Sequence, residues 1–317
     1  MCSKVQNWIS GVSTTSYEGA AGAVVKNAGA LAEISLQYEA GLHLLWVTLK
    51  SPGAIITPVL LNEIIKVQKA VQNSVRPELH IYSDQGQDSF TNNGAIRFVA
   101  YRSAHPQYFL LGGDLQHFLN WVENNDRTAT FAYAHNCVEV CANNIELLGG
   151  HVLPLASVHG EAPGGGFEAA MSCARIYCQS NAIFQLPEMY FSLFPALAYS
   201  LVGRRSSLSF VHELVTSCRK LTASDALDAG LIDGVSEKLA DEDIRKFVRE
   251  FSASHGSLCS TAKIMNRLGN VTREEMRFAA DIWAEQVFSL GPRQISRIKR
   301  TIHIQHKLNE MINVVKG

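Results

Sequence analysis

The chain has 317 residues, of which 47% are hydrophobic and 18% charged, and its formal net charge is −1 at pH 7. A chain of this length can bury a large core, either as one domain or as one domain with a helical appendage. The charge balance gives no electrostatic support for binding nucleic acid or a membrane surface. No apolar run reaches the length of a transmembrane helix, and the first residues lack a signal-peptide core.

The cysteines indicate a reducing compartment. There are seven of them, an odd number, and no CxxC pair occurs. We therefore expect free, mostly buried thiols and a cytoplasmic location. His135, Cys137 and Cys141 lie close together on a predicted helix, but His135 and Cys137 point to different faces, which argues against a metal site.

The first half of the chain predicts alternating strands and helices. Residues 1–32, rich in Ser, Thr, Gly and Ala, are predicted to be a partly helical extension. After it, strands are expected at residues 34–39, 42–50, 79–83 and 96–103, with a polar surface loop at residues 84–94 and helices at residues 57–72 and 129–148. This order indicates layers of β and α structure rather than a helical bundle. Thr57 is predicted to cap the first of these helices.

Two glycine turns each connect a strand-like segment to a predicted helix. Leu111–Gly113 precedes Asp114, which is expected to cap a short helix. Gly164–Gly166 follows the apolar strand predicted over Val152–Val158 and opens a helix near Phe167. A glycine turn at a helix N-terminus offers backbone N–H donors to developing negative charge. If the two turns lie side by side, one N–H from each can bind a single carbonyl oxygen.

Two glutamates accompany the second turn. The helix dipole alone favours an acid at Glu168 in the first helical turn, and Glu188 after Pro187 is compatible with an exposed loop charge. Their apolar neighbours instead favour buried carboxyls with raised pKa values that suit proton transfer. Together with the glycine turns, the pair indicates chemistry at a carbonyl group. Neither a G-x-G-x-x-G fingerprint nor a P-loop is present.

The remainder of the chain is predicted to be mainly helical. Residues 206–220 predict a helix, and residues 221–236 predict a short helix that ends at Gly230 and leads into a strand. From Asp241 the pattern is helical to the end. The predicted organisation is an extension at residues 1–32, a catalytic core at residues 33–240 and a helical subdomain at residues 241–317.

These motifs resemble the enoyl-CoA hydratase/isomerase (crotonase) superfamily over roughly residues 34–310. Glu168 and Glu188 have the twenty-residue separation of that family's two glutamates. LLGGDL resembles its first oxyanion segment, and LTASDALDAGLIDGV resembles a downstream helix and strand. The resemblance implies an α/β fold with a crotonase-like ββα spiral core and a C-terminal helical subdomain.

Within the superfamily, the chain is most similar to the RpfF-like diffusible signal factor synthases. The similarity lies in LLGGDLQHF, GEAPGGGFEAAMS, LPEMYFSLFPALAYS and DIWAEQVF. It implies dehydration of a 3-hydroxyacyl group on acyl carrier protein to a cis-2-enoyl group, followed by hydrolysis. The released cis-2-unsaturated fatty acid is a quorum-sensing signal in that family. Acyl carrier protein is the implied partner and an acyl thioester the substrate, with no metal or redox cofactor.

The resemblance also implies roles for individual residues. The N–H of Gly165, with that of Leu111 or Gly112, is expected to form the oxyanion hole. Glu168 and Glu188 are expected to share general acid and base catalysis, with the assignment of acid and base left open. The residues expected to bind substrate are Gly164, Gly166, Met189, Leu193, Phe194 and Trp283.

Two positions depart from the family pattern. Pro163 stands where a leucine is common, which removes only its own N–H donor. Ala196–Ala198 follow Pro195 where the relatives have glycines. The second departure alters the expected shape of the acyl pocket and its chain-length preference, but not the acid–base pair.

Two other functions stay open at this point. One is an enoyl-CoA hydratase/isomerase of fatty-acid metabolism, and the other is a non-catalytic crotonase-fold binding protein. The presence of both glutamates and both glycine turns argues against the second. A homo-oligomer and a regulatory protein partner are also compatible with the resemblance.

A basic run near the C-terminus has two interpretations. It is either a solvated helix face or a dock for an acidic carrier protein or for the phosphates of CoA. Its members are Arg293, Arg297, Lys299, Arg300 and Lys307.

Overall fold

The structure, a computed structural model, describes residues 20–74, 96–269 and 271–303. The strand predicted at residues 79–83 and the loop at residues 84–94 lie outside these ranges, as does Lys307.

The main sheet has six strands in the order β1-β2-β3-β4-β6-β9. These strands are β1 (Ile34–Glu39), β2 (Leu44–Leu49), β3 (Phe98–Ser103), β4 (Leu153–Val158), β6 (Arg175–Gln179) and β9 (Gly234–Ser236). β1 runs antiparallel to β2, and the other neighbouring pairs are parallel. All six residues of β4 are buried, as is typical of a parallel strand covered on both faces.

A smaller sheet carries the second glycine turn. Its strands, in the order β5-β7-β8, are β5 (Glu161–Pro163), β7 (Ile183–Gln185) and β8 (Leu221–Thr222). β5 and β7 are parallel, and Pro163 lies opposite Gln185. This pairing fixes the end of β5 directly before the turn at Gly164.

The helices surround the sheets and dominate the C-terminal region. They are α1 (Ala20–Ala28), α2 (Pro58–Ser74), α3 (Leu115–Glu123), α4 (Arg127–Ile145), α5 (Leu147–Gly150), α6 (Gly165–Met171), α7 (Ala198–Leu201), α8 (Leu208–Ser217), α9 (Ala223–Asp228), α10 (Ala240–Phe251), α11 (His255–Leu268), α12 (Arg273–Val287) and α13 at residues 292–303. No helix within the described ranges combines the length and apolar composition needed to cross a bilayer. The predicted α/β class with a helical C-terminal region is confirmed.

Side chains of β2 alternate between two hydrophobic clusters, one on each face of the main sheet. Leu45 and Val47 belong to the larger cluster, which includes residues of α2, α4 and α6. Leu44 and Trp46 belong to the smaller cluster, which includes residues of α10. Because successive residues of a strand point to opposite faces, this alternation requires helices on both sides of the sheet.

Several predicted boundaries are confirmed by their hydrogen bonds. The Thr57 hydroxyl accepts from the Leu60 N–H at 2.9 Å at the start of α2. Asp114 caps α3 by accepting from the N–H groups of Gln116 and His117. Gly230 ends the α9 segment in a left-handed conformation, with φ of 71°.

Part of the predicted extension packs into the core. Ala21 and Val24 of α1 are fully buried in the larger cluster, and α1 packs against α2. The buried Glu63 carboxylate of α2 accepts from the N–H groups of Ala32 and Glu33 at 2.6 and 2.9 Å. The described part of this segment is therefore integrated with the fold.

Candidate active site

Glu168 is held at the start of α6 by the second glycine turn. Gly164 adopts φ of 54°, and α6 begins at the next residue. The Glu168 side chain is buried, and its Oε1 accepts from the Leu197 N–H at 2.7 Å. Burial raises the pKa of Glu168 to about 7, and the N–H groups of Leu197 and Ala198 offset part of that rise.

Glu188 lies in a short 3-10 turn, Glu188–Phe191. Its Oε2 is buried and has no hydrogen-bond partner among the described residues. Burial raises the pKa of this carboxyl to about 8, with a further rise from the nearby Glu168 charge, while its own backbone N–H lowers it. Because the two carboxyls interact, their titration belongs to the pair. The alternative of an exposed loop charge is wrong for Glu188.

Gly164 brings Glu188 against the glycine turn. A Cβ atom on Gly164 would lie 2.5 Å from Glu188 Oε1. No side chain fits between this backbone and the carboxylate. Glycine at this position therefore permits both the positive φ of the turn and the placement of the second acid.

The two glycine turns lie side by side. A Cβ atom on Gly166 would lie 2.1 Å from the carbonyl oxygen of Leu110. A Cβ atom on Gly112, where φ is +88°, would lie 3.3 Å from the backbone nitrogen of Gly165. The backbones meet at distances that only glycine allows, which brings the two turns into contact.

Backbone hydrogen bonds separate the two candidates in the first turn. The Leu111 N–H donates to the Ala54 carbonyl oxygen at 2.8 Å. The N–H groups of Gly112 and Gly165 donate no backbone hydrogen bond to another residue of the described ranges. Leu111 is thus already engaged, and Gly112 is left as the partner of Gly165. Their role as an oxyanion hole stays a prediction.

Both glutamates line an apolar cavity of about 370 Å³. Its walls include residues of α2, α4 and α12 as well as the two glycine turns. Of the residues expected to bind substrate, Gly164, Leu193, Phe194 and Trp283 line it. An apolar cavity with a few polar groups is typical of a site for a small molecule with a hydrophobic part.

Two of the expected substrate residues lie elsewhere. Gly166 does not line the cavity, because its backbone is buried in close contact with that of Leu110. Met189 is 45% exposed and is also absent from the cavity wall. Met189 follows Glu188 in the short turn. Glu188 lines the cavity, whereas the next side chain, that of Met189, lies outside it.

Most residues of the far cavity wall were not predicted from the sequence. The additional lining residues on α2 and α4 are Leu60, Leu61, Ile64, Tyr133, Ala134, Cys137, Val140 and Cys141. Helical spacing of the α2 residues signalled a buried face. A buried face packs against a neighbouring helix or borders a cavity, and periodicity does not distinguish these.

The segment that departs from the family pattern forms part of the wall. Ala196 and Leu197 line the cavity, and Leu197 also supplies the N–H bound to Glu168.

His135 binds Asp281 at 2.6 Å, whereas Cys137 faces the cavity. Within the ranges described, no group of three or more His, Cys, Asp or Glu side chains is placed to hold a metal ion.

The mixed sheet, the paired glycine turns and the two buried glutamates define a crotonase-type protein. A sequence profile of the family described as Enoyl-CoA hydratase/isomerase matches residues 63–288. The match covers most of the chain, and the chain belongs to this family.

Known relatives agree with this assignment. The Arabidopsis thaliana protein "Probable enoyl-CoA hydratase 2, mitochondrial" is 28% identical over 168 residues, which are 51% of this chain and 52% of that protein. The chain thus spans about half the length of this curated relative.

Solved structures of low sequence identity share the fold. Enoyl-CoA hydratase from Bacillus halodurans superposes with a TM-score of 0.69 at 18% identity, covering 85% of this chain and all of that one. An enoyl-CoA hydratase from Mycobacterium avium subsp. paratuberculosis K-10 gives 0.65 at 17% identity, covering 86% and 97%. The predicted crotonase-like fold is confirmed.

Replacing Gly164 with alanine tests how Glu188 is positioned. The new methyl group must displace Glu188 Oε1 and places an alanine at φ of 54°, so we expect a loss of stability together with at least a tenfold loss of enzyme activity. Gly29→Ala is the matched control, because Gly29 also has positive φ but an added Cβ meets nothing within 4 Å. Equal activity in the two variants would contradict this account of Glu188.

The raised pKa values predict a dependence of stability on pH. Because the folded carboxyls hold protons that the unfolded chain releases, their stabilising contribution is present below about pH 4.5 and is lost as pH rises through about 7 and 8. Glutamine does not ionise, so Glu188→Gln removes the part of this loss that is due to Glu188. We expect it to raise Tm at about pH 9 and to change Tm little at about pH 5, as measured by thermal unfolding.

The control for this experiment is Glu213→Gln. Glu213 is exposed, and its hydrogen bond with Arg219 lowers its pKa. This variant should therefore give no gain in Tm at alkaline pH. If Glu188→Gln changes Tm equally at both pH values, burial does not raise the pKa of Glu188.

Proposed function

We propose that the protein catalyses reversible addition and removal of water across C2 and C3 of an acyl thioester. The observation that carries this proposal is the placement of two buried, protonatable carboxyls and two available N–H donors in the wall of one apolar cavity. Each group corresponds to a need of the reaction: the donors to an anionic oxygen, the carboxyls to two proton transfers, and the apolar wall to an acyl chain.

The proposed dehydration begins at the thioester carbonyl. Its oxygen accepts hydrogen bonds from the N–H groups of Gly112 and Gly165, which stabilises the negative charge that develops when the C2 proton leaves. One glutamate takes that proton. The electron pair then forms the C2–C3 double bond, the C3–O bond breaks, and the other glutamate supplies the proton that lets hydroxide leave as water. Hydration is the reverse sequence.

The proton affinities of the two glutamates support this division of work. Both pKa values are raised, and the charge on Glu168 raises that of Glu188 further. Near neutral pH, the pair therefore favours one charged and one protonated member. A base and an acid are then available in the same cavity before substrate binds.

The finer proposal is a dehydratase and thioesterase that releases a cis-2-unsaturated fatty acid used as a quorum-sensing signal. It is supported by the motifs shared with the RpfF-like synthases, notably GEAPGGGFEAAMS and LPEMYFSLFPALAYS. In the second step, water adds to the same carbonyl carbon, a glutamate takes its proton, and the C–S bond breaks to give the acid and the free thiol. Both steps need a stabilised oxyanion, so one site can serve both.

A purely non-catalytic role is less consistent with the energetics of the site. Burying a carboxyl oxygen without a hydrogen-bond partner costs free energy that a binding scaffold does not need. The unpartnered Oε2 of Glu188 instead suits a group that meets its partner when substrate enters. Hydratase or isomerase activity in fatty-acid metabolism is the catalytic alternative, and it uses the same groups.

Acyl carrier protein is the proposed donor of the acyl chain. Thr301 of α13 lines the cavity, and the exposed Arg297, one helical turn earlier, donates to the Tyr190 carbonyl oxygen at 3.3 Å. Tyr190 belongs to the short turn that begins at Glu188. Exposed cations of α13 therefore lie near the cavity, where they suit an acidic partner. Lys299 is paired with Glu123 and is less suited to this role.

Product analysis distinguishes the catalytic alternatives. Purified protein is incubated with 3-hydroxydodecanoyl carrier protein and with the matching CoA thioester, and products are identified by mass spectrometry. Free cis-2-enoic acid supports the finer proposal, and reversible dehydration without release supports the hydratase. Absence of turnover on both substrates would overturn the proposed activity.

Glu168→Gln and Glu188→Gln should each lower the dehydration rate by about 10²–10⁴-fold, because each removes a group that transfers a proton. Glu213→Gln, a surface change of the same chemistry, should leave the rate unchanged. Rates are measured under single-turnover conditions to separate chemistry from release. Full activity in either glutamine variant would refute the two-carboxylate mechanism.

Charge reversal on α13 tests the carrier partner. Arg297→Glu with Arg300→Glu should raise KM for carrier-bound substrate several-fold, with a smaller effect at high salt, because exposed charges steer association. Lys246→Glu with Arg249→Glu on α10 makes the same charge change at other exposed positions and serves as the control. An equal rise in KM for both double variants would show that the net charge of the protein causes the effect, and not a carrier-binding site on α13.

A further inference from the structure

A buried phenol on α4 contacts the backbone that supports the first glycine turn. Tyr133 lines the cavity and is 5% exposed. Its hydroxyl donates to the carbonyl oxygen of Ile56 at 2.9 Å. Ile56 lies between β2 and α2, in a segment that is not part of a regular strand or helix.

Ile56 touches both glycine turns. Its N–H donates to the Gly112 carbonyl oxygen at 2.9 Å. Its Cδ1 lies 3.1 Å from the position that a Cβ atom on Gly165 would occupy. Ile56 therefore lies against both residues that carry the proposed N–H donors, Gly112 and Gly165.

The segment that carries Ile56 needs support from outside. Ala54 has φ of 56°, in the left-handed region that a residue with a Cβ disfavours, and Gly53 before it has φ of 62°. Such a conformation persists where surrounding contacts fix it. The Leu111 N–H binds the Ala54 carbonyl oxygen at 2.8 Å, and Tyr133 supplies the contact from α4.

We infer that Tyr133 is a positioning residue, which fixes the separation of the Gly112 and Gly165 N–H groups through its hydrogen bond to Ile56. The inference rests on the proposed function of the cavity. Tyr133 does not donate to substrate in this role, because its hydrogen is directed to the Ile56 carbonyl. Its effect is on how well two donors converge on one oxygen.

The aromatic ring of Tyr133 is held independently of its hydroxyl. It packs edge-on against Phe118 with ring centroids 5.3 Å apart and contacts Trp121 at 5.4 Å and Trp283 at 6.5 Å. Tyr133→Phe should keep this packing and remove the hydroxyl, with its hydrogen bond to Ile56 and its contacts with the Asp114 N–H and the Cys137 thiol. The substitution thus separates the role of the hydroxyl from that of the ring.

We expect Tyr133→Phe to lower kcat about 10- to 100-fold with KM changed by less than about twofold, because misplaced donors weaken transition-state stabilisation more than substrate binding. Tyr101→Phe is the matched control. Tyr101 is also a buried phenol, but it binds Gln68 and Asn144 in the core and does not line the cavity. An unchanged kcat in Tyr133→Phe, or an equal loss in Tyr101→Phe, would overturn the inference.

A binding measurement separates this inference from the proposed function. Acetoacetyl-CoA forms an enolate whose oxygen needs the same donors, and its ultraviolet absorbance reports the enolate form. Tyr133→Phe should bind the enolate at least about tenfold more weakly, with unchanged affinity for a saturated acyl-CoA. Wild-type protein that fails to turn over any 3-hydroxyacyl thioester refutes the function. A wild type that turns over, with enolate binding unchanged in Tyr133→Phe, refutes only the role of Tyr133.

Ile56→Val provides a second test in case Tyr133→Phe does not fold. It removes the Cδ1 atom that reaches toward Gly165 while keeping both backbone hydrogen bonds. We expect a several-fold fall in kcat and weaker enolate binding with little change in Tm. A normal kcat and normal enolate affinity would contradict the proposed support of Gly165 by Ile56.

Discussion

The close contact between two stretches of backbone determines the site. At Gly166 there is no room for a side chain beside the carbonyl oxygen of Leu110. This contact allows the start of α6 to lie against the turn at Gly112, and it is possible because glycine has no Cβ. The parallel pairing of β5 with β7 holds the chain on the approach to that contact. The placement of both N–H donors and both acids follows from this arrangement.

The site concentrates polar groups that the rest of the core avoids. Glu168 accepts from the backbone N–H groups of Leu197 and Ala198 in its buried position, whereas one oxygen of Glu188 has no hydrogen-bond partner within the described residues. Burial therefore raises both pKa values, and the repulsion between the carboxylates adds to that of Glu188. The free-energy cost of burying two charged carboxylates is also what raises their pKa values toward neutral pH. Stability and reactivity are thus opposed at these two residues.

Local sequence patterns predicted the elements and the central residues of the site. Strand-like segments on either side of a glycine-containing turn indicated the paired strands β1 and β2, and cap residues indicated the starts of α2 and α3, because these features depend on neighbours in the chain. The paired turns and the two glutamates were found through spacing and a family resemblance. Met189 lies outside the cavity wall although Glu188 lines it, because adjacent residues in a short turn can point in opposite directions. The walls from α2 and α4, and the engagement of Leu111 by Ala54, depend on tertiary contacts that periodicity does not specify.

The contact between Leu197 and Glu168 links two properties that are usually considered separately. Leu197 borders the cavity, and its N–H stabilises the charged form of Glu168. A substitution that moves this backbone therefore changes the cavity wall and also the proton affinity of the acid beside it. The shape of the cavity wall and the proton affinity of Glu168 are therefore coupled, because the residue that borders the cavity also donates to this carboxyl.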